Sequence, residues 1–141
     1  MTTSTLSSVL PHHAPACPNA KIALFAIRRM GANGLADARA AYALFTAFGE
    51  GFRRPLLLVR AMMAEIAAES SMPVAIAPCC CNRVTASEHA LLTILARVET
   101  ATDQARLLMQ DMLGHRRADG VLATAAALAA AFADEGRPIT A

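Results

Sequence analysis

Three cysteines stand side by side at Cys79-Cys80-Cys81, between Pro78 and Asn82-Arg83, in a chain whose fourth cysteine is Cys17. Adjacent thiols offer two chemistries. Side chains alternate along extended backbone, so Cys79 and Cys81 form a Cys-x-Cys pair while Cys80 faces the other way. Soft thiolates select Zn²⁺ or Cu(I). A structural zinc site normally shows two separated ligand pairs, and here the second is missing. Such a set needs completion by Cys80 after a turn, by His89, His115 or Cys17, or by a second subunit. The other chemistry is redox. A helix N-terminus and a nearby cation, here Arg83, favour the thiolate. A neighbouring thiol can then resolve a sulfenic acid as a disulfide. Cys79 with Cys81 is a less strained pair than two adjacent residues. The bland alternative makes all three small buried residues at a tight crossing.

Other catalytic patterns are missing. The chain has no Gly-rich phosphate loop, no dinucleotide fingerprint and no His-Glu-x-x-His. No spacing pairs two carboxylates as acid and base, and nothing singles out a nucleophilic serine. A thiol enzyme therefore ranks behind a binding or sensor protein and behind a structural or interaction module, because no base is visibly coupled to a nucleophile.

The cysteines must be positioned by what flanks them. Pro73 and Pro78 forbid helix across the stretch of residues 72–85, and Val74 and Ile76 favour extended backbone. With no evident strand partner, this stretch reads as a connector laid across helices, or as an edge used in a homodimer. After it, Thr85-Ala86-Ser87-Glu88 is a capping box that opens a helix with Leu91, Ile94, Leu95 and Val98 on one face. His89 lies opposite that face and reads as a solvent-exposed residue near the cysteines.

The rest reads as helix. Pro18 starts one that runs to about Met30, with Lys21 and Arg28 marking its wet side and Gly31-Ala32-Asn33-Gly34 ending it. A second, residues 35–48, carries Ala38, Ala41, Leu44, Phe45 and Phe48 as its apolar stripe. A third, residues 55–69, buries Leu56, Val59, Met63 and Ile66. Arg60 sits at the margin of that stripe, where it needs water, a carboxylate or backbone partner, or an anionic ligand. At Thr100-Ala101-Thr102-Asp103 the chain either restarts a helix or bends. Asp119 opens the last helix, with Val121, Ala125, Leu128 and Phe132 inward and many alanines that permit close approach. Residues 1–17, with His12-His13, read as a flexible arm ahead of a single domain, 18–141.

Composition agrees. Apolar residues make up 55% but aromatics only 4%, so alanine, leucine and methionine carry the core and favour helix. A net charge of +2 with few aromatics argues against a nucleic-acid surface. No apolar run approaches the roughly 18 residues of a membrane span. Met1 to Pro15 lacks the cationic start and apolar centre of a secretory signal. A cytoplasmic protein with reduced thiols is the default expectation.

Arg28-Arg29-Met30, the block from Phe48 to Leu56 and the segment from Ile76 through Pro78-Cys79-Cys80-Cys81 to Thr85 resemble a small family of uncharacterised alphaproteobacterial proteins. That family is a domain of unknown function with a Pro-Cys-Cys motif. The resemblance spans about residues 18–139 and implies a bacterial, cytoplasmic setting without an activity, substrate or ligand.

The expectation is an all-α single bundle of about five helices with one extended Pro/Cys-containing crossover. Its cysteine cluster would bind a soft metal (Zn²⁺ or Cu(I)) or respond to oxidants. Alternatively, its helix faces would bind a protein partner or a second copy.

Overall fold

Helical spacing of apolar residues decides the fold. A computed structural model, describing residues 10–79 and 81–140, resolves six α-helices among them. These are α1 (Pro18–Asn33), α2 (Ala38–Phe48), α3 (Arg53–Glu69), α4 (Ala86–Arg97), α5 (Thr102–Leu113) and α6 (Asp119–Asp134). A 3₁₀ turn, Gly49–Phe52, joins α2 to α3. The all-α expectation holds. The helix count rises to six because the chain does restart after Ala101, and Thr102 Oγ1 donates to Val98 O at the bend.

Local chemistry sets several ends. Pro18 occupies the first turn of α1, where a missing N–H leaves nothing unpaired. Asp37 caps α2 by accepting from the Ala40 amide at 2.9 Å. Thr85 and Glu88 form the expected capping box of α4. α1 runs past Gly31 to Asn33, and Gly34, at φ 99°, is its C-cap. Gly31 matters for packing instead. A Cβ there would lie 3.2 Å from Ile76 of the connector, so its hydrogen lets the two segments approach.

Helix α3 packs along α6, α1 against α2, and α4 against α5. α6 also meets α4 and α5, and buries Ala125, Leu128, Ala131 and Phe132. Small residues let helix backbones approach closely, and dispersion between close-packed surfaces adds to the hydrophobic gain. Phe48 meets Phe132 edge to face, with ring centroids 4.8 Å apart. Fully burying a Leu, Met or Phe contributes about 1.5–3 kcal/mol, and Leu44, Met62, Met109, Leu128 and Phe132 are all fully enclosed.

Helix α2 departs from its expected stripe. Only Ala40 and Leu44 are buried, whereas Ala38 is exposed and Phe45 is 48% exposed. One helix, α1, covers most of it, so its apolar face is wider than its cover.

The segment expected to have no strand partner finds one. Strand β1 (His12–His13) pairs antiparallel with β2 (Arg83–Val84), His12 opposite Val84 and His13 opposite Arg83. Residues 10–14, placed in an arm by sequence, thus lie against the end of the connector. Arg83 Nε donates to Leu10 O at 2.7 Å and its Nη2 to Pro11 O at 3.0 Å, while the Ala14 amide donates to Asn82 O.

Candidate functional site

Extended backbone without a sheet partner leaves amides and carbonyls to be satisfied by side chains. Two residues do this for the connector. Arg28 of α1 is 2% exposed and Glu88 of α4 is 1% exposed, and they meet face to face. Arg28 Nε donates to Glu88 Oε2 at 2.8 Å, and Nη2 donates to Oε1 at 3.1 Å. The same guanidinium donates to Cys81 O and to Arg83 O, each at 2.8 Å. Glu88 also accepts from the Ala77 amide at 3.2 Å and from the Thr85 amide at 2.9 Å. Thr85 Oγ1 donates to Ala75 O at 2.7 Å. Each carboxylate oxygen therefore has two donors, the condition under which a buried charge is tolerated.

This lock corrects the reading of Arg28 as wet. Arg28 follows the buried Ala20 and Leu24 by eight and four residues, a spacing that places the three near one face of the helix. The signal was an arginine in a core position. Glu88 was recognised as a capping residue, but only the tertiary fold turns its carboxylate toward a distant arginine as well.

The lock fixes the backbone on either side of the cysteines. The Cys81 amide donates to Pro78 O at 3.1 Å, so the chain reverses between Pro78 and Cys81. Cys79 is exposed, against the buried-packing alternative for that residue, and Cys81 is half-buried. Both line one cavity of about 300 Å³, together with Lys21, Phe25 and Asn82, and Ala14 of the docked segment forms part of its wall. Cys80 lies outside the described residues.

Two expected sources of thiolate stabilisation are engaged elsewhere. The amide end of α4 is filled by its own capping box, and the Arg83 guanidinium holds the Leu10 and Pro11 carbonyls. The arginine beside Cys79 is Arg29. Its hydrogen bonds to Asp37, at 3.0 and 3.1 Å, raise its pKa further, and Cys79 adds a smaller contribution. In return Arg29, with help from the Ala40 amide, holds the Asp37 carboxyl below the usual range.

Among the described residues, His89 does not join Cys79 and Cys81. His89 lines a different cavity, beside His13 and Thr93, and its ring stacks on His12 with centroids 3.9 Å apart and planes 9° apart. His115 bonds Glu69 O through Nε2 and accepts the Arg117 amide through Nδ1, which leaves neither nitrogen for a metal. Among the described residues no group of three or more His, Cys, Asp or Glu side chains is placed to hold an ion. Arg60 has a backbone partner, its Nε donating to Leu35 O at 2.9 Å.

Sequence reasoning gave Cys17 too little weight. It is the N-cap of α1 and packs partly against the core. Burial pushes its thiol up, but interactions with Thr140 and with the nearby Ala20 and Asn19 amides outweigh this and bring it down to about 7. A cysteine immediately before a Pro-started helix was the available signal. The Thr140 contact joins the two ends of the described chain and was not readable.

Fold and site together define a small all-helical protein with a thiol-bearing connector clamped by a buried ion pair. The chain belongs to the family described as "Family of unknown function (DUF6628)", whose model matches residues 1–130. The match takes in the N-terminal segment that the sequence resemblance left out, and stops short of its far end. No curated protein and no solved structure matches the chain. No helix among the described residues is long and apolar enough to cross a membrane.

Proposed function

We propose that the protein is a thiol-based redox sensor in which Cys79 and Cys81 form a reversible disulfide. The observation that carries this is their shared cavity: both side chains line it, one of them exposed, in a segment that turns between Pro78 and Cys81. In a peroxide reaction the Cys79 thiolate attacks one peroxide oxygen, the O–O bond breaks and, with a proton, water leaves. The Cys81 thiol then attacks the sulfenic sulfur and expels a second water. Two thiols and one hydrogen peroxide thus give one disulfide and two waters. A reducing compartment such as a bacterial cytoplasm would hold the resting thiols.

A response has a path into the fold. Cys81 contributes its carbonyl to Arg28, so a disulfide that shifts this residue pulls on the pair joining α1 to α4. Treating the reduced chain with hydrogen peroxide tests the reading, with the linkage located by mass spectrometry in the tryptic peptide ending at Arg83. The expected product loses two hydrogens, recovers them in dithiothreitol, and is abolished by Cys79→Ser or Cys81→Ser but not by Cys80→Ser. Thiols that stay free, or link only through Cys17, would sink it.

An interaction role is favoured by a separate observation. Helix α2 leaves Tyr42 71% exposed and Phe45 48% exposed, and Leu57 of α3 is 67% exposed. Exposed aromatics are enriched where proteins associate. Sedimentation of the native chain beside Tyr42→Ser/Phe45→Ser reads this directly: a larger species lost in the variant supports it, and a monomer in both removes it.

A further inference from the structure

The segment from Leu10 to Ala14 is held on the connector by contacts of two kinds. Some contain no group that itself titrates in mild acid: the Arg83 guanidinium on the Leu10 and Pro11 carbonyls, the β1–β2 pairing, and the Ala14 amide on Asn82 O. The other is the parallel stack of His12 on His89 of α4, with centroids 3.9 Å apart. Two imidazoles in this arrangement attract while neutral. Charged, they repel at close range and lose their water. The same segment supplies Ala14 to the wall of the cavity that holds Cys79 and Cys81.

We infer that residues 10–14 are an acid-released strap over the cysteine cavity, closed by the His12–His89 stack and loosened when His89 takes up a proton. The strap regulates the site proposed above, and its purpose, though not its geometry, rests on that thiol reading.

The surroundings of the pair oppose charge. His89 stays exposed at the surface, but the water it loses, and then the charge of His12 stacked on it, lower its pKa from its ordinary 6.5. Arg83 brings a positive charge from β2, as the register partner of His13, the next titratable group along β1. Glu88, the neighbour of His89 in α4, cannot compensate, because its carboxylate is buried and bound to Arg28. A group whose docked pKa is depressed contributes its stabilisation fully above its free value. That contribution is lost as pH falls below 6.5. The Arg83 contacts persist, so acid loosens the strap without unfolding the helices.

The test measures alkylation of Cys79 and Cys81 by N-ethylmaleimide in the full chain and in His12→Phe/His89→Phe, whose rings can stack but not titrate. Taking the ratio of the two rates at each pH cancels the ordinary pH dependence of the thiolate. The ratio should be near unity at about pH 7.5 and rise severalfold by about pH 5.5. Hydrogen exchange of the Ala14 amide in the unsubstituted chain, corrected for its intrinsic rate, should lose protection over the same interval. A flat ratio with a protected amide overturns the strap. Strap and sensor fail separately: a rising ratio without peroxide-driven disulfide leaves a strap over an inert cavity, and the disulfide with a flat ratio leaves an ungated sensor.

Discussion

Two seams of this molecule are built from opposite materials. Where α3 and α6 meet, the interior is mainly apolar, with Leu128 and Phe132 of α6 wholly enclosed and Val59 and Met62 of α3 beside them in the same core. Where α1 and α4 meet, the core holds a guanidinium and a carboxylate. The difference follows from what each seam covers. Helices satisfy their own backbone, so shape and dispersion suffice between them. An extended connector does not, and Arg28 with Glu88 supplies the donors and acceptors that a neighbouring strand would give.

Substitutions can break this contrast, and the largest effect belongs to the polar seam. Glu88→Ala leaves a buried arginine unpaired and frees the Ala77 and Thr85 amides, so it should cost about 3–5 kcal/mol in urea unfolding. In a protein kept folded by mild conditions it should also raise the alkylation rate of Cys81. Leu128→Ala should cost about 2–5 kcal/mol through the cavity it leaves, while the cysteine rates stay at those of the parent. If Leu128→Ala altered the thiols as much as Glu88→Ala, the seams would not be separate devices.

Smaller effects sharpen the comparison. Thr85→Ala removes a cap and the hydroxyl that donates to Ala75 O, so calorimetry should find a loss of about 1–2 kcal/mol. Alkylation of Cys17 against pH should show a midpoint near 7, well below an ordinary thiol, and Thr140→Ala should move it upward. Smallest is Arg54→Ala. It breaks an ion pair with Asp134 between α3 and α6 whose side chains are 58% and 62% exposed, and solvent should hold the loss below about 1 kcal/mol.

Much of the fold was legible because its signals are local. Pro18, the Thr85–Glu88 box and the stripe Val121, Ala125, Leu128, Phe132 each act within a few residues of themselves. Their readings survive in α1, α4 and α6. The stripe of α2 misled because periodicity reports which face is apolar and not whether anything covers it. Phe45 keeps the right spacing and remains half exposed.

The site divides along the same line. The cysteine run, the prolines that keep it out of helix and the turn that follows Pro78 are properties of adjacent residues. The sequence by itself therefore determined where thiol chemistry could occur. Only the tertiary structure decided its surroundings. It moved Arg28 into the core, aimed Arg83 at the N-terminal segment and sent His89 to stack on His12. Those partners stand 60, 73 and 77 positions apart. A charge or a ring chooses among distant candidates by burial and geometry, neither of which exists until the helices have packed.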